Sequence, residues 1–222
     1  YQENANELRY PASLTKLMTL YLLFEAVESG RLTLESPLTV SAEAASRPPA
    51  KLGLPVGTSI TVREAATALA VRSANDVAVV VAEGVAGSEE AFARQMNARA
   101  RAIGMSRTHF VNASGLPDEG QISTARDMAL LALQLRTRFP AYQNFFTLKE
   151  FRFNGRRYEA TNKLLGKVPG VDGLKTGYIR ASGFHLVATA QRGNKRLIAV
   201  VMGGETGRAR DARAEQLLET WF

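Results

Sequence analysis

Gly183-Phe-His-Leu-Val-Ala-Thr-Ala-Gln191, a turn at Gly193 and Asn194, then Arg196-Leu-Ile-Ala-Val-Val-Met202: this stretch decides the class of fold. Both runs read as strands, and the Gly-Asn pair joins them as a hairpin. Leu174–Tyr178 supplies a third strand before them, and Phe151–Tyr158 reads as a separate hairpin around Asn154 and Gly155. Upstream the texture is helical. Ser13–Ser29 places Leu17, Leu20, Phe24 and Val27 at helical spacing and stops at Gly30. Arg63–Val71, Asp76–Val85, Glu89–Ile103 and Ser123–Arg136 continue the helical series, with a break at Arg72–Ala74 and Ser123 as the expected N-cap. Ser36–Thr61, with Pro48, Pro49 and Pro55, should hold no long regular element. Ala209–Trp221 closes the chain as a helix. A helical middle followed by a strand-rich third gives an α+β fold, helices against an antiparallel sheet.

The chain has 222 residues, 45% hydrophobic and 22% charged, so one domain with an ordinary core is expected. Its longest apolar run, Leu17–Phe24, is far too short to span a bilayer. No repeat or long linker divides it. The 28 basic and 21 acidic side chains leave a charge of +7, a value that suits nucleic acid or a polyanionic polymer. The positives are scattered, however, and the densest cluster, Arg208, Arg210 and Arg213, is interleaved with Asp211 and Glu215 as on a solvated helix face. Cysteine is absent, which removes disulfide scaffolds, thiol nucleophiles and most structural zinc sites, and fits an oxidising compartment.

Several chemistries drop out next. The two histidines, His109 and His185, form no His-Glu-x-x-His pair, so metal catalysis has no ligand set. No Gly-x-Ser-x-Gly elbow supports a Ser-His-Asp triad, and both imidazoles read as structural or surface groups. No phosphate-cradling glycine loop occurs. Neither a metal nor a cofactor is expected.

Ser13-Leu-Thr-Lys16 remains. Residues three apart on a helix face the same way, so Ser13 Oγ and Lys16 Nζ can meet. Pro11 puts Ser13 in the first turn, where free N–H groups favour developing negative charge. Lysine can serve as the base if burial or a second cation lowers its pKa. Alone the match is weak, since 12 Ser and 7 Lys predict roughly 0.4 by chance, and a plain N-cap would explain Ser13. Two more motifs follow in order. Ser73-Ala-Asn75 lies at the break between two helices, and Lys175-Thr-Gly177 lies on a strand, where Lys175 and Gly177 share a face. The ordered set Ser-x-x-Lys, Ser-x-Asn, Lys-Thr-Gly is that of penicillin-binding proteins and class A β-lactamases.

In its wider context the chain resembles the low-molecular-mass penicillin-binding proteins that act as D-alanyl-D-alanine carboxypeptidases, the S11 peptidases. Tyr10–Thr19, Arg72–Asp76 and Val171–Gly177 carry the three motifs, and Thr108–Asn112, Gly115-Leu116, Gly120-Gln121 and Val201–Gly204 match further landmarks. The resemblance covers nearly the whole chain. It implies a β-lactamase/DD-peptidase-like fold over residues 1–222, with a mostly helical lobe at roughly 36–140 inserted in the α/β lobe.

The same resemblance implies roles. Ser13 attacks the penultimate D-Ala carbonyl or a β-lactam, and Lys16 takes its proton. The N–H groups of Ser13 and Tyr178 receive the oxyanion, Ser73 relays a proton to the leaving nitrogen, and Asn75 holds the substrate amide. Lys175 keeps Lys16 neutral and attracts the substrate carboxylate, which Thr176 binds; Gly177 completes that motif. Arg210, 35 residues after Lys175, approaches the same carboxylate, with Arg208 as fallback. Ile179 departs from the Thr common in relatives, which removes a hydroxyl from the pocket. Only 12 residues precede Ser13, implying a processed or trimmed form, and relatives continue into a β-rich domain and an anchoring helix. Membrane association is therefore expected only through an anchor beyond Phe222.

The implied partners are peptidoglycan stem peptides and β-lactams, in the periplasm or another extracytoplasmic compartment. The same residues would serve a DD-endopeptidase or a transpeptidase. Fast β-lactam hydrolysis needs a Glu-x-x-Leu-Asn motif, and Glu150-Phe-Arg-Phe-Asn154 has the wrong spacing. A non-catalytic envelope-binding protein is opposed by the intact motifs, and a nucleic-acid binder rests on charge alone.

Overall fold

The computed structural model describes residues 1–222. A 3₁₀ turn over Ala12–Thr15 runs directly into α1 (Lys16–Glu28), so the single helix expected from Ser13 begins with a tighter turn. Helix α1 buries Leu17, Met18, Leu20, Tyr21, Leu23, Phe24 and Ala26, nearly its whole circumference, which makes it the central helix of the core. Phe24 stacks on Tyr142, and Tyr21 meets Phe139 edge-on at 4.9 Å, a favoured aromatic geometry.

The proline-rich segment contains only short elements: β1 (Pro37–Thr39), α2 (Ala42–Ser46) and β2 (Ser59–Thr61), with β1 and β2 antiparallel. Helix α3 (Val62–Val71) starts at a capping box in which Thr61 and Glu64 satisfy each other's backbone N–H groups. The chain turns sharply at Ser73 and restarts as α4 (Asn75–Ala86), which ends at Gly87 in the left-handed conformation. Two longer helices follow, α5 (Glu89–Ala102) and α6 (Ala125–Arg138).

The expected N-cap of α6 needs correction. Thr124, not Ser123, accepts the Asp127 N–H. Ser123 is held one residue short of the helix because its N–H and C=O both pair with Arg9, while its hydroxyl meets Thr108.

A short helix α7 (Asn144–Thr147) leads to the hairpin β3 (Glu150–Phe153) and β4 (Arg156–Glu159), which turns at Asn154 and Gly155 as anticipated. The main sheet is β5 (Val171–Ile179), β6 (Gly183–Arg192) and β7 (Lys195–Gly204), antiparallel in the order β5-β6-β7. Helix α8 (Gly207–Trp221) packs on β6 and β7, burying Ala214 and Leu218 against Leu186, Ala188 and Ala199. The fold is α+β. No helix is long and apolar enough to cross a membrane.

Candidate active site

The turn that carries Ser13 is pressed between two glycines. Ala12, just before it, has φ +50°, a left-handed conformation costing an L-residue of order 1–3 kcal/mol. Gly115 packs against that turn, where a Cβ would lie 1.8 Å from the Ala12 carbonyl oxygen. From the other side, a Cβ on Gly177 would come 3.2 Å from the backbone nitrogens of Ser13 and Leu14. Strand β5 therefore lies directly on the Ser13 turn, an approach only glycine allows without movement.

Lys16 follows one helical turn later and is fully buried. Its Nζ has three neighbours: Ser13 Oγ at 2.8 Å, Asn75 Oδ1 at 2.8 Å and the Ser114 carbonyl at 2.6 Å. The last two oxygens only accept hydrogen bonds. An uncharged amine has two hydrogens and one lone pair, so donating to both acceptors leaves the lone pair directed at the Ser13 hydroxyl. Burial pushes the Lys16 pKa well below its ordinary value, and the nearby Lys175 charge pushes it further; the Asp76 carboxylate opposes both. The three oxygens would also accept the hydrogens of an ammonium, so it is burial and the neighbouring charge that shift Lys16 toward the uncharged form.

Across the cleft, Lys175 Nζ donates to Ser73 Oγ at 2.9 Å and to the Thr176 carbonyl at 2.9 Å. Lys175 is brought down to about 7, mainly by burial and secondly by the positive charge of Arg210. Ser73 sits at φ +62° between α3 and α4, so the corner aims its hydroxyl at the sheet. The Thr176 hydroxyl donates to the Thr161 hydroxyl at 2.7 Å. Ser13, Lys16, Ser73, Asn75, Lys175, Thr176 and Gly177 thus lie in one connected constellation.

The remaining positions differ. Tyr178 is 53% exposed and its ring lies 4.2 Å from that of Phe184, its partner across β5 and β6. Arg210 is buried, and its guanidinium already donates to Asp211 at 2.8–2.9 Å and to the His185 carbonyl at 3.2 Å. His185 is buried opposite Gly177 in the sheet. Its Nδ1 accepts from the Gly203 N–H, which assigns the hydrogen to Nε2, 2.9 Å from both the Tyr10 carbonyl and the Ser182 hydroxyl. Burial takes its pKa down to about 4. His109 is bonded through Nδ1 to the Gly120 carbonyl at the surface. No three His, Asp or Glu side chains converge to offer a metal site.

Sequence reasoning missed several supports. Asp76 is fully buried and accepts the N–H groups of Leu52, Gly53, Leu54 and Val77. Asn75 binds the same loop, its N–H donating to the Ala50 carbonyl and its Nδ2 to the Pro48 carbonyl. Gln121 accepts from the Asn112 N–H and donates to Thr15 Oγ1, tying the loop that offers the Ser114 carbonyl to the first motif. The landmarks Asn112, Gly115 and Gln121 were visible in the sequence, but the backbone oxygen they position leaves no sequence signal.

Comparisons with known proteins identify the family. The family model for peptidase S11, D-alanyl-D-alanine carboxypeptidase, matches residues 1–206. The chain is 38% identical over 228 residues to D-alanyl-D-alanine carboxypeptidase DacF of Bacillus subtilis, covering all of this chain and 58% of that protein. It therefore spans little more than half the length of that relative. Among solved structures, penicillin-binding protein 5 of Haemophilus influenzae superposes with a TM-score of 0.95 at 34% identity, over 98% of this chain and 65% of the other. Penicillin-binding protein D2 of Listeria monocytogenes, in an ampicillin-bound form, gives 0.85 at 34% identity, over 99% and 89%. With the family model matching nearly all of its length, the chain belongs to the peptidase S11 family.

Proposed function

We propose that residues 1–222 form the catalytic domain of a serine-type D-Ala-D-Ala carboxypeptidase, with residues of roughly 36–140 as a helical lobe inserted in the α/β lobe. The observation that carries this reading is the Lys16 amine, which has two oxygens to accept its hydrogens and Ser13 Oγ in the third direction. Ser13 Oγ attacks the carbonyl carbon of the penultimate D-Ala as its proton passes to Lys16. The oxyanion forms between the N–H groups of Ser13 and Tyr178, donors already fixed by the contact of Gly177 with the Ser13 turn. Collapse breaks the peptide bond as Ser73 relays the proton taken up by Lys16 to the departing D-Ala nitrogen, which leaves the serine protonated and the amine neutral again. Asn75 Oδ1 keeps a second lone pair for the substrate amide. Lys175, Thr176 and the positive potential of Arg210 receive the terminal carboxylate. Water then hydrolyses the acyl-Ser13 ester and restores the free serine.

β-Lactams would acylate the same hydroxyl, in keeping with the ampicillin-bound and cefotaxime-bound relatives from Listeria monocytogenes. A peptidoglycan substrate places the enzyme outside the cytoplasm, in the periplasm or its equivalent. The deciding assay is release of D-Ala from a monomeric pentapeptide, run beside a cross-linked dimer. Release from the monomer supports the carboxypeptidase. Cleavage of the dimer alone indicates a DD-endopeptidase, and acyl transfer to an added amine indicates a transpeptidase.

A further inference from the structure

The mechanism makes no use of His185, a buried imidazole beside the segment that leads into Ser13. It lies in β6 opposite Gly177, the residue of β5 that rests on the Ser13 turn. The pairing of β6 with β7 slips at this point, between Phe184 and Leu186, and the ring steps into the ladder, its Nδ1 accepting the Gly203 N–H at 2.9 Å. That bond sets the tautomer, so Nε2 carries the hydrogen and offers it to the Tyr10 carbonyl, 2.9 Å away. The hydroxyl of Ser182, in the turn between β5 and β6, donates to the same carbonyl at 2.9 Å. Two donors from the sheet converge on one backbone oxygen.

Between that oxygen and Ser13 lie Pro11, which has no N–H to offer, and Ala12 at φ +50°. A strained residue persists only where the structure on both sides of it is held. Downstream, the Leu14 N–H closes onto the Pro11 carbonyl at 3.2 Å, and Lys16 is fixed by its three oxygen neighbours. Upstream, the anchors are the Tyr10 carbonyl and, one residue further back, the Arg9 backbone paired with Ser123. The Tyr10 anchor is the one tied to the sheet that carries Tyr178. In the proposed mechanism the N–H groups of Ser13 and Tyr178 share an oxyanion, so their separation has to stay fixed. The ring needs no charge for this task. Burial takes it down to about 4, and the facing groups Arg9 and Arg210 are both cations that favour the neutral form.

We infer that His185 is a positioning residue for the nucleophile: by donating from Nε2 to the Tyr10 carbonyl it ties the Ser13 turn to the sheet and holds the Ser13 N–H in register with that of Tyr178. The inference rests on the reading of Ser13 as the nucleophile and adds to it the group that holds its strained turn in place.

The test is single-turnover acylation by a fluorescent penicillin, which separates binding from the chemical step. His185→Leu removes both ring bonds and should slow the chemical step by about ten- to a hundredfold while binding of the penicillin stays unchanged. His185→Gln, whose amide nitrogen can reach the place of Nε2 and donate to Tyr10, should recover to within about threefold of the wild type and keep the rising limb of the pH–rate profile where it was. Ser182→Ala, which takes away the second donor, should show a smaller loss of the same kind. Equal losses in the Leu and Gln variants would overturn the inference, as would a loss confined to binding, no loss at all, or a displaced limb in His185→Gln. Should His185→Leu fail to fold by circular dichroism, Ser182→Ala decides on the same criterion. Hydrogen–deuterium exchange of the Tyr10–Lys16 segment separates the two levels, because it does not require Ser13 to react. Faster exchange there in His185→Leu but not in His185→Gln, with α8 unchanged, supports the positioning role even if the wild-type chain forms no penicillin adduct, an outcome that would reject the serine-nucleophile reading instead. Equal exchange in all three proteins would overturn the positioning role.

Discussion

The site contains two serine–lysine pairs that differ in how they are made. Ser13 and Lys16 are three residues apart and meet because one helical turn brings them together. Ser73 and Lys175 are 102 residues apart and meet only because the α3–α4 corner faces β5. Both lysines are buried and both have depressed pKa values. Their acceptors set them apart. Lys16 has two oxygens that only accept and the Ser13 hydroxyl as a third neighbour, as the proposed base requires. Lys175 has one hydroxyl and one carbonyl, and its charge lowers the Lys16 pKa, second to burial. In the proposed mechanism local geometry supplies the nucleophile, and long-range packing supplies its activation.

The sharpest way to break this comparison is Ser13→Ala. It should reduce acylation by penicillin by about 10⁶-fold, read by mass spectrometry, with the circular dichroism spectrum unchanged. A persistent adduct would place the nucleophile elsewhere. Lys16→Gln should follow, slowing acylation by about 10²–10⁴-fold, since a neutral amide accepts no proton. Acylation of the wild type should rise with pH as the residual Lys16 ammonium is lost.

Lys175→Ala should slow acylation by about 10²-fold. It also sharpens the distinction in a way that a structural role would not. With the Lys175 charge gone the Lys16 pKa rises, so the rising limb of the pH–rate profile should move to higher pH; a shift to lower pH would reject the coupling. The groups facing Lys16 are Lys175 from β5 and Asp76 from α4, of opposite sign. Stability should respond as well. Lys175 is at about 7 when folded and at its ordinary 10.5 when unfolded, so the unfolded chain binds more protons between those values. Thermal stability should therefore rise with pH through that window, and Lys175→Met should flatten the slope. The smallest effect is expected from Gly177→Ala. Contacts of 3.2 Å require only a slight shift of the Ser13 turn, costing about 1–3 kcal/mol in stability while acylation slows.

Much of this was legible before the fold was known. The helices and the three sheet strands follow from apolar periodicity, and the Gly193-Asn194 turn appears where the dipeptide placed it. Errors fell where local signals tie. Ser123 and Thr124 are both competent N-caps, and the pairing with Arg9, distant in sequence, chose between them. The short pair β1 and β2 was invisible because three-residue strands carry no usable period. In the site, Ser13, Lys16, Ser73, Asn75 and Lys175 stood out by residue type and order. Asp76 and the Ser114 carbonyl did not, because their work is to hold backbone.

Sequence alone picked out the side chains proposed to carry the chemistry, because a helix places residues three apart on one face and a strand alternates its faces whatever surrounds them. Tertiary structure alone decided that the Lys16 pKa falls well below its ordinary value. Desolvation is a property of everything packed around an amine, and the atoms that exclude water from Lys16 come from α4, β5 and the loop at Ser114, which only the fold brings together.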